Sequence, residues 1–403
     1  MNSLRRLTPL ALLLLACPAS AQEKLGPESK LERLLAAAKE KQTEALRLEL
    51  LAFCREHPGT DLCRKAAKAL TTMPSPLDKL DADKLDAETR KFLSIPGLVA
   101  IVRAHNRAIA SLAFSPDGTQ LATSSWDNSV KLWHMDLAEP KERATLDGSP
   151  SGIAFTADGK TLATGSPQAR VVLWDISIAK PKARSILSGH KHRPFALQIA
   201  PGSEMLVSGS LGPVLRLWKL HGEEPEIWAA LANEEVPSVG VSALSFNGDG
   251  KLLAAGSHVG KHTLRIWDLS GDYLEERTLP AAQARIVQFS PTEPILAFAA
   301  DDEVIHLWWV RGAEPKKLHA LKGHKSAATP PAIKALAFSP TGEWLASGGQ
   351  DHRLFVWDMA TGQSQRNWQL LDEVRALAFA PDGRHLAVGN DAGTLYILRL
   401  GAR

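Results

Sequence analysis

The chain has 403 residues, 44% hydrophobic and 23% charged, a balance that permits a sizeable buried core and excludes wholesale disorder. Its 47 basic and 44 acidic residues leave a formal charge of +3, and Arg5 and Arg6 in the leader account for two of those charges. So neutral a remainder lacks the electrostatic footprint of a nucleic-acid binder.

The first residues read MNSLRRLTPLALLLLACPASAQ. Two arginines precede an apolar run from Leu7 to Ala16, and small residues follow where a signal peptidase reads. The run is too short to span a bilayer, which takes about 20 apolar residues. Residues 1–21 are therefore expected to be a signal peptide of bacterial type, placing the mature protein in the periplasm or outside the cell. Cleavage before Cys17, in the context LLAC, is the alternative and would leave a membrane-anchored lipoprotein.

Residues 22–95 are expected to form a helical segment and linker. Residues 28–57 are rich in strong helix formers, with Leu31, Leu34, Leu35, Ala38, Ala45 and Phe53 near one face. Pro58-Gly59 should end this helix, and Thr60 or Asp61 should cap a second one running to about Leu70. That hairpin is expected either to dock a partner or to pack on the rest of the chain. Cys54 and Cys63 fall in facing turns of the two helices, and export favours a disulfide between them. A short helix around Ala87–Phe92 should close the linker.

From residue 96 onward the chain repeats itself. The stretch LAFSPDGTQLATSSWDNSVKLW at Leu112 returns as LAFSPTGEWLASGGQDHRLFVW at Leu336. Anchored on Phe114, Phe155, Ile199, Phe246, Phe289, Phe338 and Phe379, the copies recur at intervals of 41, 44, 47, 43, 49 and 41 residues. A leucine stands seven positions after every anchor, and a tryptophan follows that leucine after twelve in copies one, two, three, five and six. SPDG, Ser115–Gly118, is a hairpin turn, with proline presetting φ and Asp-Gly tolerating the left-handed region. Small residues such as Ala122, Thr123, Gly165 and Ser347 fill the second strand, where converging sheets leave little room. Four strands per repeat make a blade that cannot bury its faces alone, so seven copies predict an all-β, seven-bladed β-propeller of four-stranded antiparallel blades over residues 96–403. Only Gly401, Ala402 and Arg403 follow Leu400, so strand 98–103 is expected to supply the missing fourth strand of blade seven and close the ring.

Trp174-Asp175, Trp267-Asp268 and Trp357-Asp358, with Gly189-His190 and Gly323-His324, give the repeat a resemblance to WD-repeat (WD40) propellers over about three-quarters of the chain. The resemblance implies a hydrogen-bond network joining His, Ser or Thr, Asp and Trp within a blade. It matches His105, Thr123, Asp127 and Trp133 in blade one and His324, Ser347, Asp351 and Trp357 in blade six. Gln168 and Gly212 replace the Asp in blades two and three, so networks are expected in two blades only. The resemblance also implies contact points just before the turn Asp, at Trp126, Pro167, Leu211, Asp301 and Gln350. Trp126 stands out, since tryptophan is enriched at binding hot spots.

No HExxH, GxSxG or GxGxxG motif occurs, and DGKT at Asp158–Thr161 falls in the hairpin-turn register. His190 with His192, and His258 with His262, are too few for a metal site and are expected in solvent. Neither metal nor cofactor is expected. Arg285, Lys334 and Arg375 share one register, with Arg107 and Arg193 nearby, predicting a basic rim round the channel suited to an acidic peptide or loop. The long connections 221–240 and 324–332 add further contact candidates, Trp228 among them. The expected function is a non-catalytic protein-interaction scaffold in the bacterial envelope. A TolB-like component of an envelope machine and a lactonase-like propeller enzyme are the alternatives.

Overall fold

The structure is a computed structural model that describes residues 26–57, 60–80, 95–202, 204–212, 214–220, 225–232, 240–257, 264–271, 275–279, 284–299, 302–312, 315–325 and 333–401. The expected signal peptide, Cys17, the helix expected at 87–92, His258, His262 and Asp301 lie outside the described residues. Among the described residues, seven four-stranded antiparallel sheets form seven blades. Blade one runs through strands Ile109–Phe114, Gln120–Ser125, Ser129–His134 and Lys141–Asp147, called a to d from the axis outward. Blades two to six repeat that order.

The turn between strands a and b shows why the sequence makes a hairpin there. Ser115 accepts from the Gly118 amide at 2.8 Å, and the Ser115 hydroxyl donates to Asp117 Oδ1 at 2.6 Å. Gly118 adopts φ +73°, which a side chain disfavours. Strand b is buried along nearly its whole length in every blade, because neighbouring blades cover both of its faces. In blades one, two, three, five and six the c–d register shifts immediately before the recurring tryptophan of strand c. Such a bulge adds local twist and re-aims the side chain, here turning the indole inward.

In blade seven, Val374–Phe379, His385–Asn390 and Thr394–Arg399 are completed by Leu98–Arg103. The pairing runs from Leu98 opposite Leu398 to Arg103 opposite Thr394. The Gly393 carbonyl accepts from the Ala104 and His105 amides, each at 3.0 Å. The innermost strands of all seven blades line a central channel of about 510 Å³.

The N-terminal segment is three helices rather than a hairpin: α1 (Pro27–Glu40), α2 (Glu44–Glu56) and α3 (Asp61–Leu70). Thr43 breaks the long helix by adopting extended backbone and accepting from the Leu46 amide through its hydroxyl. The break resets the helical phase, so Leu46, Leu50 and Phe53 turn inward and Ala45 faces solvent. Leu31, Leu34, Ala66 and Leu70 complete this small core. The expected disulfide between Cys54 and Cys63 is not present in the structure, where the Cys54 thiol donates to the Cys63 carbonyl oxygen at 3.5 Å. No described helix is long and apolar enough to cross a membrane.

Candidate interaction face

Antiparallel strands alternate in direction, so a–b and c–d turns gather on one face of the ring and b–c turns and blade-to-blade connections on the other. The helices occupy the first face. Arg47, only 1% exposed, donates to the Asp117 carbonyl in the a–b turn of blade one at 2.5 Å. Arg64 pairs with Glu293 of blade five at 2.9 Å, and Lys68 with Glu343 of blade six at 3.4 Å. A 3-10 turn, Pro76–Lys79, capped by Ser75, buries Leu77 among residues of blades one and seven. Asp78 accepts from Arg384 and Arg399 of blade seven, both at 2.9 Å. Beneath it the Asp382–His385 pair is fully buried, 2.7 Å apart. Burial alone would raise the Asp382 pKa, but hydrogen bonds from His385 and Ser75 and the His385 charge hold it well below the carboxylate range.

The opposite face is built on the blade networks. In blade one the Trp133 indole donates to Thr123 Oγ1 at 3.1 Å, and Thr123 meets His105 Nε2 at 2.7 Å. His105 Nδ1 reaches Asp127 at 3.1 Å, which accepts the Asn106 amide as well. One tautomer satisfies the whole chain: Trp donates to Thr, Thr to Nε2, and Nδ1–H to Asp. Protonating Nε2 would strand the threonine proton, and burial lowers the His105 pKa despite the Asp127 charge that raises it. Blade six repeats the arrangement through Trp357, Ser347, His324 and Asp351 at 2.8, 2.8 and 3.0 Å.

Among the described residues the complete four-residue network occurs in blades one and six, while parts of it persist in two further blades. Blade three keeps Trp218, Ser208 and His190 at 2.8 and 2.6 Å, although Gly212 replaces the Asp. Blade two keeps Trp174 to Thr164 at 2.9 Å. His190 is thus a half-buried structural histidine and not a solvent-facing one; burial first, then Arg216, lowers its pKa to about 4. Blade five has Phe298 at the Ser/Thr position, stacked on His306 at 5.1 Å, and the Trp308 indole nitrogen is left without a partner.

Among the residues singled out as contact points, Trp126 is 42% and Leu211 44% exposed. Pro167 is also exposed. Gln350 is half-buried with its Oε1 unpaired. Trp228 is no surface anchor, since it packs on the core cluster of blades three and four. The expected basic rim is not uniform. Arg375 is neutralised by Asp391 at 2.7 Å and Glu373 at 3.2 Å. Lys334 and Arg375 line the channel, and Arg285 is half-buried. Arg107 lies instead beside Trp126, whose amide bonds to the Ala108 carbonyl, and Arg193 two residues before Phe195, whose ring lies 6.3 Å from that of Trp126. Sequence reasoning missed Phe195, whose position in strand a gave no sign that its ring meets a blade-one turn. No cluster of three or more potential metal ligands occurs among the described residues.

Comparison with known proteins bears on the repeat. The family model for the WD domain, G-beta repeat, matches residues 97–134, 140–175, 235–268, 315–358 and 369–397. Transducin beta-like protein 3 of Rattus norvegicus is 28% identical over 184 residues, 44% of this chain and 21% of that protein. Nuclear distribution protein PAC1-2 of Uncinocarpus reesii is 27% identical over 308 residues, 65% of this chain and 61% of that protein. Target of rapamycin complex subunit wat1 of Schizosaccharomyces pombe is 33% identical over 110 residues, 27% of this chain and 32% of that protein. The chain thus spans less than two-thirds of each of these relatives. The crystal structure of the Cps50 (Swd1) β-propeller domain from Myceliophteria thermophila superposes with a TM-score of 0.62 at 17% identity, covering 75% of this chain and 99% of that one, a likeness of fold. Seven four-stranded blades, tryptophan-anchored networks and five segments matching the WD domain, G-beta repeat model make the chain a seven-bladed β-propeller built of WD-like repeats.

Proposed function

We propose that this propeller is a non-catalytic scaffold that holds a protein partner on the face opposite its helices. The asymmetry of the two faces carries the reading: helices cover the a–b turns of blades one, five, six and seven, while the other face presents Trp126 and Leu211 to solvent. One of the similar proteins is named as a complex subunit, which agrees with a role in assembly. Placement in a bacterial envelope rests on the leader, residues 1–21, alone, and the relatives named above are eukaryotic.

A crosslinking pull-down from intact cells, wild type beside Trp126→Ala, tests the scaffold reading. Partners lost in the variant support it; partners held equally well move binding off this face. Mass spectrometry of the bait's N-terminus tests export in the same sample. Gln22 as first residue means soluble export, a lipid-bearing Cys17 means anchoring, and an intact Met1 overturns both.

A further inference from the structure

The loop face is chemically lopsided over blades one to three. Trp126 sits on a turn whose shape is preset: Asn128 adopts φ +65° and its amide bonds to the Ser125 carbonyl at 3.1 Å. Asp127 ties the same turn to His105 and to the Ser129 amide. The indole is thus held outward at little entropic cost, tilted 41° to the ring of Phe195. Phe195 follows Pro194, which pairs with Ser210, the residue before Leu211. Trp126 and Phe195 are thus in ring contact between blades one and three, and exposed Leu211, on the blade-three turn after Ser210, adds a third apolar side chain to this strip of the face.

Cations border the strip. Arg107 is exposed next to Ala108, and its carbonyl accepts from Ser125 at 3.1 Å. Lys191 and Arg193 lead into Phe195, and exposed Arg170 closes the blade-two turn between them. None of these four side chains has an ion-pair partner among the described residues. Among the described residues, the acids on these loops are Asp127, committed to the blade-one network, and Asp147. Blades five to seven differ, since Asp391 and Glu373 neutralise Arg375, and Asp302 holds His306 at 2.8 Å.

We propose that blades one to three bind an extended segment of a partner protein in which a large apolar side chain is flanked by carboxylates. The proposal rests on the loop-face reading above and gives its partner a chemistry. The apolar side chain seats on the Trp126–Phe195–Leu211 strip, and the carboxylates meet Arg107, Arg170, Lys191 and Arg193. Excess positive charge round an apolar centre favours that occupant over a basic or uniformly apolar one.

The test is selection of a phage-displayed random dodecapeptide library on the full chain, followed by fluorescence polarisation with the selected peptides. The expected peptides carry Asp or Glu within a few positions of Trp, Phe, Leu or Ile. Trp126→Ala and the Arg107→Glu/Arg193→Glu double variant should each weaken binding by about 10-fold or more. Added salt should weaken it further. Leu371→Ala, at a site 55% exposed on the far side of the ring, should leave it unchanged. All the substituted residues are exposed or half-buried, and thermal melts check that the variants fold. Peptides sensitive to Trp126→Ala but without acidic bias, and indifferent to charge reversal, overturn this chemistry and leave the loop-face reading standing. Peptides indifferent to every variant overturn both. Failure to select any peptide overturns the linear-segment proposal alone, the pull-down remaining the test of the face. Self-association abolished by Trp126→Ala overturns it too, making the occupant a second copy of the chain.

Discussion

Ser347 shows how much rests on a single hydroxyl. It accepts from Trp357 and joins His324, and all three are buried. Ser347→Ala leaves an indole N–H and an imidazole nitrogen unpaired together, so chemical denaturation should report a loss of about 2–3 kcal/mol. His190 supplies a different signature. Its pKa falls from an unfolded value near 6.5 to about 4. A base with a depressed native pKa binds its proton more readily when unfolded, so it costs nothing above pH 6.5. It destabilises progressively as pH drops towards 4. His105 is shifted in the same direction, largely by burial, and adds to the slope. The midpoint of urea unfolding should therefore decline between pH 6.5 and 4, and His190→Gln should flatten part of that decline. An unchanged slope would show that His190 titrates normally. Trp126 was legible in the sequence as an outlying aromatic, and the structure leaves it exposed. Phe195 was not, because residues 126 and 195 meet only through the ring's curvature.

At the scale of elements, the ring is closed by pairing first to last. Leu98–Arg103 supplies the outer strand of blade seven, and Trp368 of blade six donates to the Pro96 carbonyl at 2.9 Å just before it. Deleting residues 98–103 leaves a three-stranded blade with an exposed edge, and cooperative unfolding should be lost. A gentler probe is Gly393→Ala. Gly393 has φ +85°, and a Cβ there would run into the His105 and Arg107 carbonyls, so its melt should shift down while remaining cooperative. An unchanged melt in the deletion would mean that closure contributes nothing. Strands and their turns were readable because leucine spacing, SPDG-type turns and small-residue second strands are local signals. The break between α1 and α2 was not: one capping threonine outweighed a continuous run of helix formers.

At the scale of the whole molecule, the helices decide which face is available. Contacts from Arg47, Arg64, Lys68 and Asp78 to four blades lay them across the a–b turns. The other face presents its loops with no described helix across them, which is why the pull-down and the peptide selection are both read through Trp126. The charge on that face is likewise a property of the assembly. Arg285, Lys334 and Arg375 share a sequence register, yet Arg375 meets two acids, and Lys334 lines the channel beside it.

The number of blades, their strand order and the strand that closes them follow from the sequence alone, because a repeated unit imposes the same local hydrogen bonding wherever it occurs. Tertiary structure decided the remainder: which histidines are buried, that no disulfide joins Cys54 to Cys63, where the helices lie, and which arginines of the loop face have no ion-pair partner among the described residues. Each of these depends on residues far apart in the chain. Burial and ion pairing are settled by what the folded ring brings within a few ångströms, and no spacing along the sequence encodes that distance.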